Sequence, residues 1–116
     1  MRRALFALIV PLAFACDDTE GTGPIVPVSS ATVTMTAALR FLPATVQLLD
    51  EGTVTWQFNS IGHNVTFNST AGAPANITTQ FGGSVPRTFT TPGTYAYHCT
   101  IHGTGMSGTI VVHEVP

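Results

Sequence analysis

Polar and apolar residues alternate along much of the chain after residue 30, and this period-two pattern predicts β-strands. The clearest case is segment 53–58, where Val54, Trp56 and Phe58 occupy one face and polar residues the other. The remaining predicted strands show the same alternation or a short run of β-branched and aromatic residues. They are segments 31–39, 44–49, 63–67, 85–90, 95–99 and 109–113. No window shows the sustained 3.6-residue period of an amphipathic helix.

Turn residues separate these predicted strands at intervals of about ten residues. Asp50-Glu51-Gly52 predicts a turn, and Thr91-Pro92-Gly93-Thr94 has the proline and glycine placement of a type II turn. Segment 68–83 is rich in small and polar residues without a clear period, and we expect it to be irregular. About seven or eight short strands arranged in this way predict an all-β fold, a Greek-key β-sandwich.

The first fifteen residues have the features of an export signal. Arg2 and Arg3 precede an apolar run over residues 4–15, which ends in the small residues of a cleavage site. The run is shorter than the roughly 20 residues that cross a bilayer. Residues 1–15 are therefore predicted to be a signal peptide, and the protein to be exported to the periplasm or cell surface.

Cys16 directly follows this predicted signal. Leu-Ala-Phe-Ala-Cys resembles a bacterial lipoprotein signal, in which the cysteine becomes the lipidated N-terminus of the mature chain. The alternative is ordinary cleavage after Ala15, which leaves an unmodified cysteine. The only membrane association predicted is this anchor. Residues 16–30, with Gly21, Gly23, Pro24 and Pro27, are predicted to be a flexible linker, and residues 31–116 one folded domain.

Charge and cysteine content exclude some classes of function. Charged residues make up only 9% of the chain, there is no lysine, and residues 16–116 carry two arginines against six acidic residues. Without clustered basic residues, nucleic-acid binding is not expected. Cys99 has no credible disulfide partner inside the domain, because the only other cysteine is Cys16.

A constellation of metal-binding side chains lies near the C-terminus. Cys99, His102 and Met106 fall within one glycine-rich stretch between two predicted strands, and His63 begins an earlier strand. Two imidazoles, one thiolate and one weak thioether are the donors of a mononuclear blue-copper electron-transfer site. Glycines 103, 105 and 108 allow the loop to close around an ion. The sequence therefore predicts one type 1 copper ion at one end of the sandwich.

Less specific interpretations exist for each residue alone. Met106 could be a core residue, His102 a surface histidine and Cys99 a small buried hydrophobe. A copper carrier or storage module without redox cycling would favour an exposed site rich in methionine, whereas only Met35 and Met106 follow the signal. A purely structural sandwich would leave the four donors unexplained. No acid–base pair indicates an enzyme.

Three segments resemble the cupredoxin family of small blue copper proteins, which includes the plastocyanin, pseudoazurin and amicyanin types. They are His63-Asn-Val-Thr-Phe67, the run from Thr90-Thr-Pro-Gly-Thr-Tyr95 to Cys99-Thr-Ile-His102, and Met106-Ser-Gly-Thr-Ile-Val-Val112. The likeness extends over about residues 33–113. It departs from the family in the interval between His102 and Met106 and in Ile101, where relatives have proline.

The resemblance implies roles for individual residues. His63, Cys99 and His102 would be the strong ligands, and Met106 the long axial one. Asn64 and Thr100 match residues that tie the two ligand segments together by hydrogen bonds. The function implied is single-electron transfer by a monomer that meets redox protein partners through an apolar face around His102.

Two further histidines have weaker expectations. His98 should point away from Cys99. In copper nitrite reductases and multicopper oxidases a histidine at this position joins a second copper centre, but the other histidines of such a centre are missing here. We expect His98 to be an exposed strand residue and His113 to have no role at the site.

Overall fold

The computed structural model describes residues 25–116, which form eight β-strands. They are β1 (Val28–Met35), β2 (Phe41–Leu42), β3 (Thr45–Gln57), β4 (His63–Phe67), β5 (Ile77–Gln80), β6 (Ser84–Phe89), β7 (Gly93–Cys99) and β8 (Gly103–His113). No α-helix occurs in this part of the chain. Accordingly, it has no helix with the length and apolarity needed to span a bilayer. The predicted all-β class is confirmed.

The strands form one mixed β-sheet that folds into two layers. Seven of them follow the order β2-β1-β3-β8-β7-β4-β5, and β6 pairs with β3. Strand β3 belongs to both layers, because its residues 45–49 pair with β8 and its residues 52–57 pair with β6. One layer therefore contains β1, β2, β6 and the second half of β3. The other contains the first half of β3 with β8, β7, β4 and β5.

The aromatic core shows that these layers face each other. Trp56 in the second half of β3 packs edge-on against Tyr97 in β7, with ring centroids 5.3 Å apart, and against Phe67 in β4 at 6.0 Å. These strands share no ladder hydrogen bonds with that half of β3. Contact through side chains alone is the packing of a β-sandwich, as predicted.

The turn predicted at Asp50-Glu51-Gly52 lies within the continuous strand β3 as a bend. Glu51 has a φ of 69°, and a Cβ on Gly52 would lie 2.6 Å from the Leu49 carbonyl oxygen. Strand pairing changes from β8 to β6 across these residues. The residues of the predicted turn therefore mark the point where the chain passes between layers, and strand β3 is continuous through them.

Other boundaries also differ from the prediction, in three places through pairing with distant strands. Segment 68–83 contains β5, because Ile77 pairs with Val65 of β4 and is buried. Strand β8 begins at Gly103, six residues before the predicted start at Thr109. Strand β1 begins at Val28 and takes in the last three residues of the predicted linker. In each case pairing with a strand distant in sequence extends a segment whose composition is typical of a loop.

Chain entry and the end of β7 lie at opposite ends of the sandwich. Val28 pairs with Leu48, Leu48 with Val112, and Val112 with Gly93 at the start of β7. Cys99 is the last residue of β7. The predicted signal 1–15, Cys16 and the linker up to residue 24 lie outside the described residues.

Candidate metal centre

Four segments meet at the end of the sandwich where β7 finishes. His63 is the first residue of β4, and Cys99 is the last residue of β7. His102 lies in the three-residue turn that follows Cys99, and Met106 lies near the start of β8. Tyr95, Tyr97 and Cys99 share the inward face of β7, so strand alternation aims the thiol into the sandwich.

Three donor atoms converge in this region. Cys99 Sγ lies 3.5 Å from His102 Nδ1 and 4.0 Å from His63 Nδ1, and the three donors all lie within 4.8 Å of one another. A sulfur bound at about 2.3 Å and a nitrogen at about 2.05 Å, 120° apart around one ion, would be separated by about 3.8 Å. The observed sulfur–nitrogen distances bracket this value. The geometry therefore fits one first-row metal ion bound by His63, Cys99 and His102.

The environment of His63 favours the neutral imidazole that a metal requires. Its side chain is 0% exposed, and burial, with a smaller contribution from His102, lowers its pKa. The two imidazole rings are 4.9 Å apart at an interplanar angle of 55°. Cys99 is also 0% exposed and is the free cysteine of the described residues. A buried thiol beside two imidazoles is a set of soft and borderline donors suited to copper.

Met106 reaches the same end of the fold through an irregularity in β8. Ladder pairing passes from His98↔Ser107 directly to Cys99↔Gly103, which leaves residues 104–106 without partners on β7. Within this bulge Met106 is 1% exposed and belongs to the hydrophobic core. The sequence placed Met106 in a loop, whereas the structure places it in a bulged strand.

Asn64 and Thr100 connect the two segments that carry these donors. Asn64 Nδ2 donates a hydrogen bond to Thr100 Oγ1 at 2.8 Å, and Thr100 N donates one to Asn64 Oδ1 at 3.1 Å. Thr66 Oγ1 donates a further hydrogen bond to Asn64 Oδ1 at 3.0 Å. Asn64 is buried. These bonds join the residue after His63 to the residue after Cys99, the link that the family resemblance implied.

The other two histidines lie away from the donor cluster. His98 is half-buried and lines an open cavity of about 300 Å³ on the outer face of the hairpin, with Asn68 and Ser107 among its neighbours. His113 Nε2 lies 2.6 Å from Gln47 Oε1, at the opposite end of β8. Neither joins the group of metal-binding residues found in the described part of the chain.

Exposed apolar residues surround the cluster. Ile61 and Ile101, which the sequence placed near His102, are 40% and 51% exposed. The structure adds Phe81, which is 74% exposed and lies over Gly62, where a Cβ would come within 2.7 Å of the ring. Ile61, Phe81, Ile101 and His102 are called the His102 face below. Phe81 was missed because its segment shows no period, although it is the one aromatic residue between Asn68 and Gly83.

Arg40 is a second residue that sequence reasoning missed. Its Nη1 donates a hydrogen bond of 2.8 Å to the carbonyl oxygen of Gly105, inside the bulge that carries Met106. The two residues are 65 positions apart. No local pattern links them, and the only signal in the sequence is the scarcity of cations in the domain.

Comparison with known proteins finds copper proteins that are similar in sequence or in fold. Plastocyanin from Prochlorothrix hollandica is 39% identical over 100 residues, covering 74% of this chain and 76% of that protein. A reduced copper(I) form of an amicyanin variant aligns with a TM-score of 0.63 and 29% identity, covering 76% of this chain and 86% of that one. A copper-containing nitrite reductase from Thermus scotoductus aligns with a TM-score of 0.66 and 25% identity, over 84% of this chain but 25% of the reductase.

The family comparison covers nearly all the described residues. The family described as copper binding proteins of the plastocyanin/azurin type matches residues 28–113, from the first residue of β1 to the last of β8. This match confirms the cupredoxin resemblance and the copper cofactor that it implied. The chain belongs to the plastocyanin/azurin family of copper-binding proteins.

Proposed function

We propose that this protein is a single-electron carrier with one type 1 copper ion, bound strongly by His63, Cys99 and His102 and weakly by Met106. The observation that carries the proposal is the convergence of Cys99 Sγ with two imidazole Nδ1 atoms at 3.5 and 4.0 Å. Family membership and the electron-transfer role of such a donor set support it. When bound, copper supplies reversible one-electron chemistry between its singly and doubly charged states.

The surrounding residues would keep the donors in place during a change of charge. His63 and Cys99 are both completely buried, so water does not compete for their donor atoms. The Asn64–Thr100 hydrogen bonds hold their two segments together. Donors on packed strands move little when the charge of a bound ion changes, which keeps the reorganisation energy small.

His102 is the proposed route for the electron. It is half-buried, whereas the other three proposed ligands are buried, and it belongs to the exposed His102 face. A small apolar contact around a partly exposed ligand suits the weak, short-lived complexes of redox partners. We propose that the protein binds such partners as a monomer.

A carrier is favoured over an enzyme by the number of metal clusters. Within residues 25–116, His63, Cys99 and His102 form the single group of candidate metal ligands. His98 does not belong to that group, and the described residues assemble no second group of candidate ligands around it. The likeness to nitrite reductase extends over only a quarter of that enzyme.

Export and membrane attachment are proposed from the sequence. Arg2, Arg3 and the apolar run over residues 4–15 support export, and Cys16 supports lipidation at the cell surface or in the periplasm. The test is to express the full chain and a Cys16→Ala variant and to assay both in membrane and soluble fractions. If Cys16 is lipidated, the parent protein will be found in the membrane fraction and the Cys16→Ala variant in the soluble fraction. A parent in the soluble fraction would contradict the anchor while leaving the copper site untouched.

The main experiment is a visible spectrum after copper addition. Protein without residues 1–15 receives one equivalent of cupric ion, and we expect an intense band at about 600 nm from thiolate-to-copper charge transfer. Cys99→Ser should abolish the band. His98→Gln is the matched control on the opposite face of the same strand and should retain it.

Other outcomes would change the assignment. Tight copper binding without the band would indicate a carrier or storage protein for the metal. Failure to bind copper would leave a structural sandwich, and the proposal would be wrong.

A further inference from the structure

We infer that the His102 face is the electropositive end of the domain and that it docks on a partner surface rimmed with carboxylates. That this face docks on a redox partner rests on the proposed function. The sign of the partner's charge is inferred from the charge distribution of the fold. The inference specifies the chemistry of the partner, which neither the family nor the donor cluster specifies.

The described residues carry very few charges, and the acidic ones lie together. Residues 25–116 contain Arg40 and Arg87 and three carboxylates, with no lysine. Asp50 and Glu51 follow Leu49, which pairs with His113, and Glu114 follows His113. All three carboxylates therefore lie at one end of the sandwich.

The carboxylates are distant from the donor cluster. Leu49 and His113 lie one pair beyond Leu48 and Val112, and Val112 pairs with Gly93 at the start of β7. Cys99 is at the other end of that strand. At about 3.3 Å per residue, the six steps from Gly93 to Cys99 span about 20 Å.

Arg40 lies at the donor end. Its guanidinium donates to the Gly105 carbonyl, between the positions of His102 and Met106 in the chain. The backbone that presents it is also held in place, because Thr36 N donates to Arg40 O at 2.9 Å and Leu39 takes a φ of 60°. This positive charge is therefore held beside the bulge that carries Met106, at the same end of the sandwich as the His102 face.

Arg87 adds its positive charge to neither end of the sandwich. Its Nε and Nη2 donate to the carbonyl oxygens of Ala75 and Asn76, and its residue pairs with Val54 in the middle of β3. It lies on the flank between the two ends. The domain therefore has a positive end at the His102 face and a negative end at Asp50, Glu51 and Glu114.

This separation of charge determines which partners can approach productively. At physiological ionic strength the Debye length is about 8 Å, so carboxylates about 20 Å away are screened from a partner at the His102 face, whereas Arg40 is not. During encounter, an anionic surface attracts the Arg40 end and a cationic surface attracts the opposite end, away from the donors. Only the anionic partner is brought to the route for the electron.

The test uses metal-free protein without residues 1–15, labelled with ¹⁵N, and two redox-inert paramagnetic ions. Hexacyanochromate(III) is a trivalent anion and hexaamminechromium(III) a trivalent cation. We expect the anion to broaden amide signals of residues 101–106 and Arg40. The cation should broaden those of residues 50–52 and Glu114.

Variants separate charge from structure. Arg40→Gln should weaken the broadening by the anion about threefold at low salt, and Arg40→Lys should preserve most of it. Glu51→Gln, a matched loss of one charge at the other end, should leave the anion effect unchanged. Anion broadening elsewhere, broadening by the cation at the His102 face, or no effect of Arg40→Gln would overturn the inference.

A second measurement uses the copper-loaded, reduced protein. Hexacyanoferrate(III) takes one electron from it and becomes hexacyanoferrate(II), and this bimolecular rate should fall as salt is raised. Arg40→Gln should lower the rate about threefold at low salt and by little at high salt. Failure to form a blue protein would contradict the proposed function, while the metal-free experiment would still decide the sign of the docking surface.

Discussion

Asn64 and Thr100 are hydrogen-bonded to each other twice, through Asn64 Nδ2 to Thr100 Oγ1 at 2.8 Å and through Thr100 N to Asn64 Oδ1 at 3.1 Å. The amide side chain thus bridges two segments that are 36 positions apart in sequence. The bonds involve no donor atom of the cluster. The distance between the segments carrying His63 and Cys99 is therefore maintained by the polypeptide itself.

Removing this amide should destabilise the fold. In Asn64→Ala, the Thr100 N–H and the hydroxyls of Thr66 and Thr100 lose their partner, and we expect a loss of about 1–3 kcal/mol in the free energy of unfolding. Denaturant unfolding of the metal-free protein measures this. Thr100→Ser keeps both hydrogen-bonding groups and is the control. Equal stability of Asn64→Ala and the parent would show that the bridge contributes nothing.

Deleting the side-chain hydroxyl should change stability by different amounts at the two tyrosines of β7. Tyr95 Oη donates to the Thr91 carbonyl at 2.5 Å, so Tyr95→Phe should cost about 1 kcal/mol. Tyr97 Oη is buried without a hydrogen bond, and Tyr97→Phe should change stability by less than about 0.5 kcal/mol. Burial also raises the pKa of Tyr97 to about 12. Thermal unfolding compares the pair, and a larger cost for Tyr97→Phe would contradict this assignment.

The lowered pKa of His63 makes the metal-free fold sensitive to acid. Burial, followed by the charge of His102, disfavours the protonated imidazole in the folded state. The unfolded chain titrates at about 6.5 and so binds more protons below that pH. Stability should therefore fall as pH is lowered below about 6.5, by at most about 1.4 kcal/mol per pH unit. It should level off below the folded pKa.

The measurement is urea unfolding at a series of pH values with a chelator present. His63→Asn should flatten the dependence of unfolding free energy on pH between about pH 5 and pH 7, the range in which an ordinary histidine titrates. An unchanged profile in this variant would assign the acid sensitivity to another group.

Gly108 should tolerate a methyl group less well than Gly105. A Cβ at Gly108 would lie 2.5 Å from Tyr97 Cζ, and overpacking of this kind costs about 1–3 kcal/mol. At Gly105 the nearest atom is Arg40 Nη1 at 3.8 Å, so Gly105→Ala should stay within about 0.5 kcal/mol of the parent. Differential scanning calorimetry of the two alanine variants tests the difference, and similar melting temperatures would argue against close packing at Gly108.

Local patterns were sufficient for the inward face of β7 and for the nature of the donors. Alternation placed Tyr95, Tyr97 and Cys99 on one face, and all three are buried. Side-chain direction in a strand depends only on position parity, so it can be predicted without knowing the partners. The chemistry of thiolate and imidazole is likewise a property of the residues themselves, although their ligand roles stay predictions.

Contacts between distant segments were beyond such patterns. Ile77 forms a strand because β4 offers it an edge, and Arg40 has its position because the bulge presents the Gly105 carbonyl. The bend at Glu51 was visible as turn chemistry, but the ladder on either side of it could not be predicted. Pairing partners are a property of the assembled sheet, which is why β5 and several boundaries were missed although every predicted strand segment contains a strand.

The start of β1 at Val28 determines how a tethered form of the domain would be held. From Cys16 to Val28 the backbone can reach at most about 40 Å, less than if the strand had begun at residue 31. Val28 lies at the end of the sandwich opposite Cys99. A tether to Cys16 would therefore attach at the end of the sandwich opposite the donor cluster, and the point of attachment would not cover the His102 face.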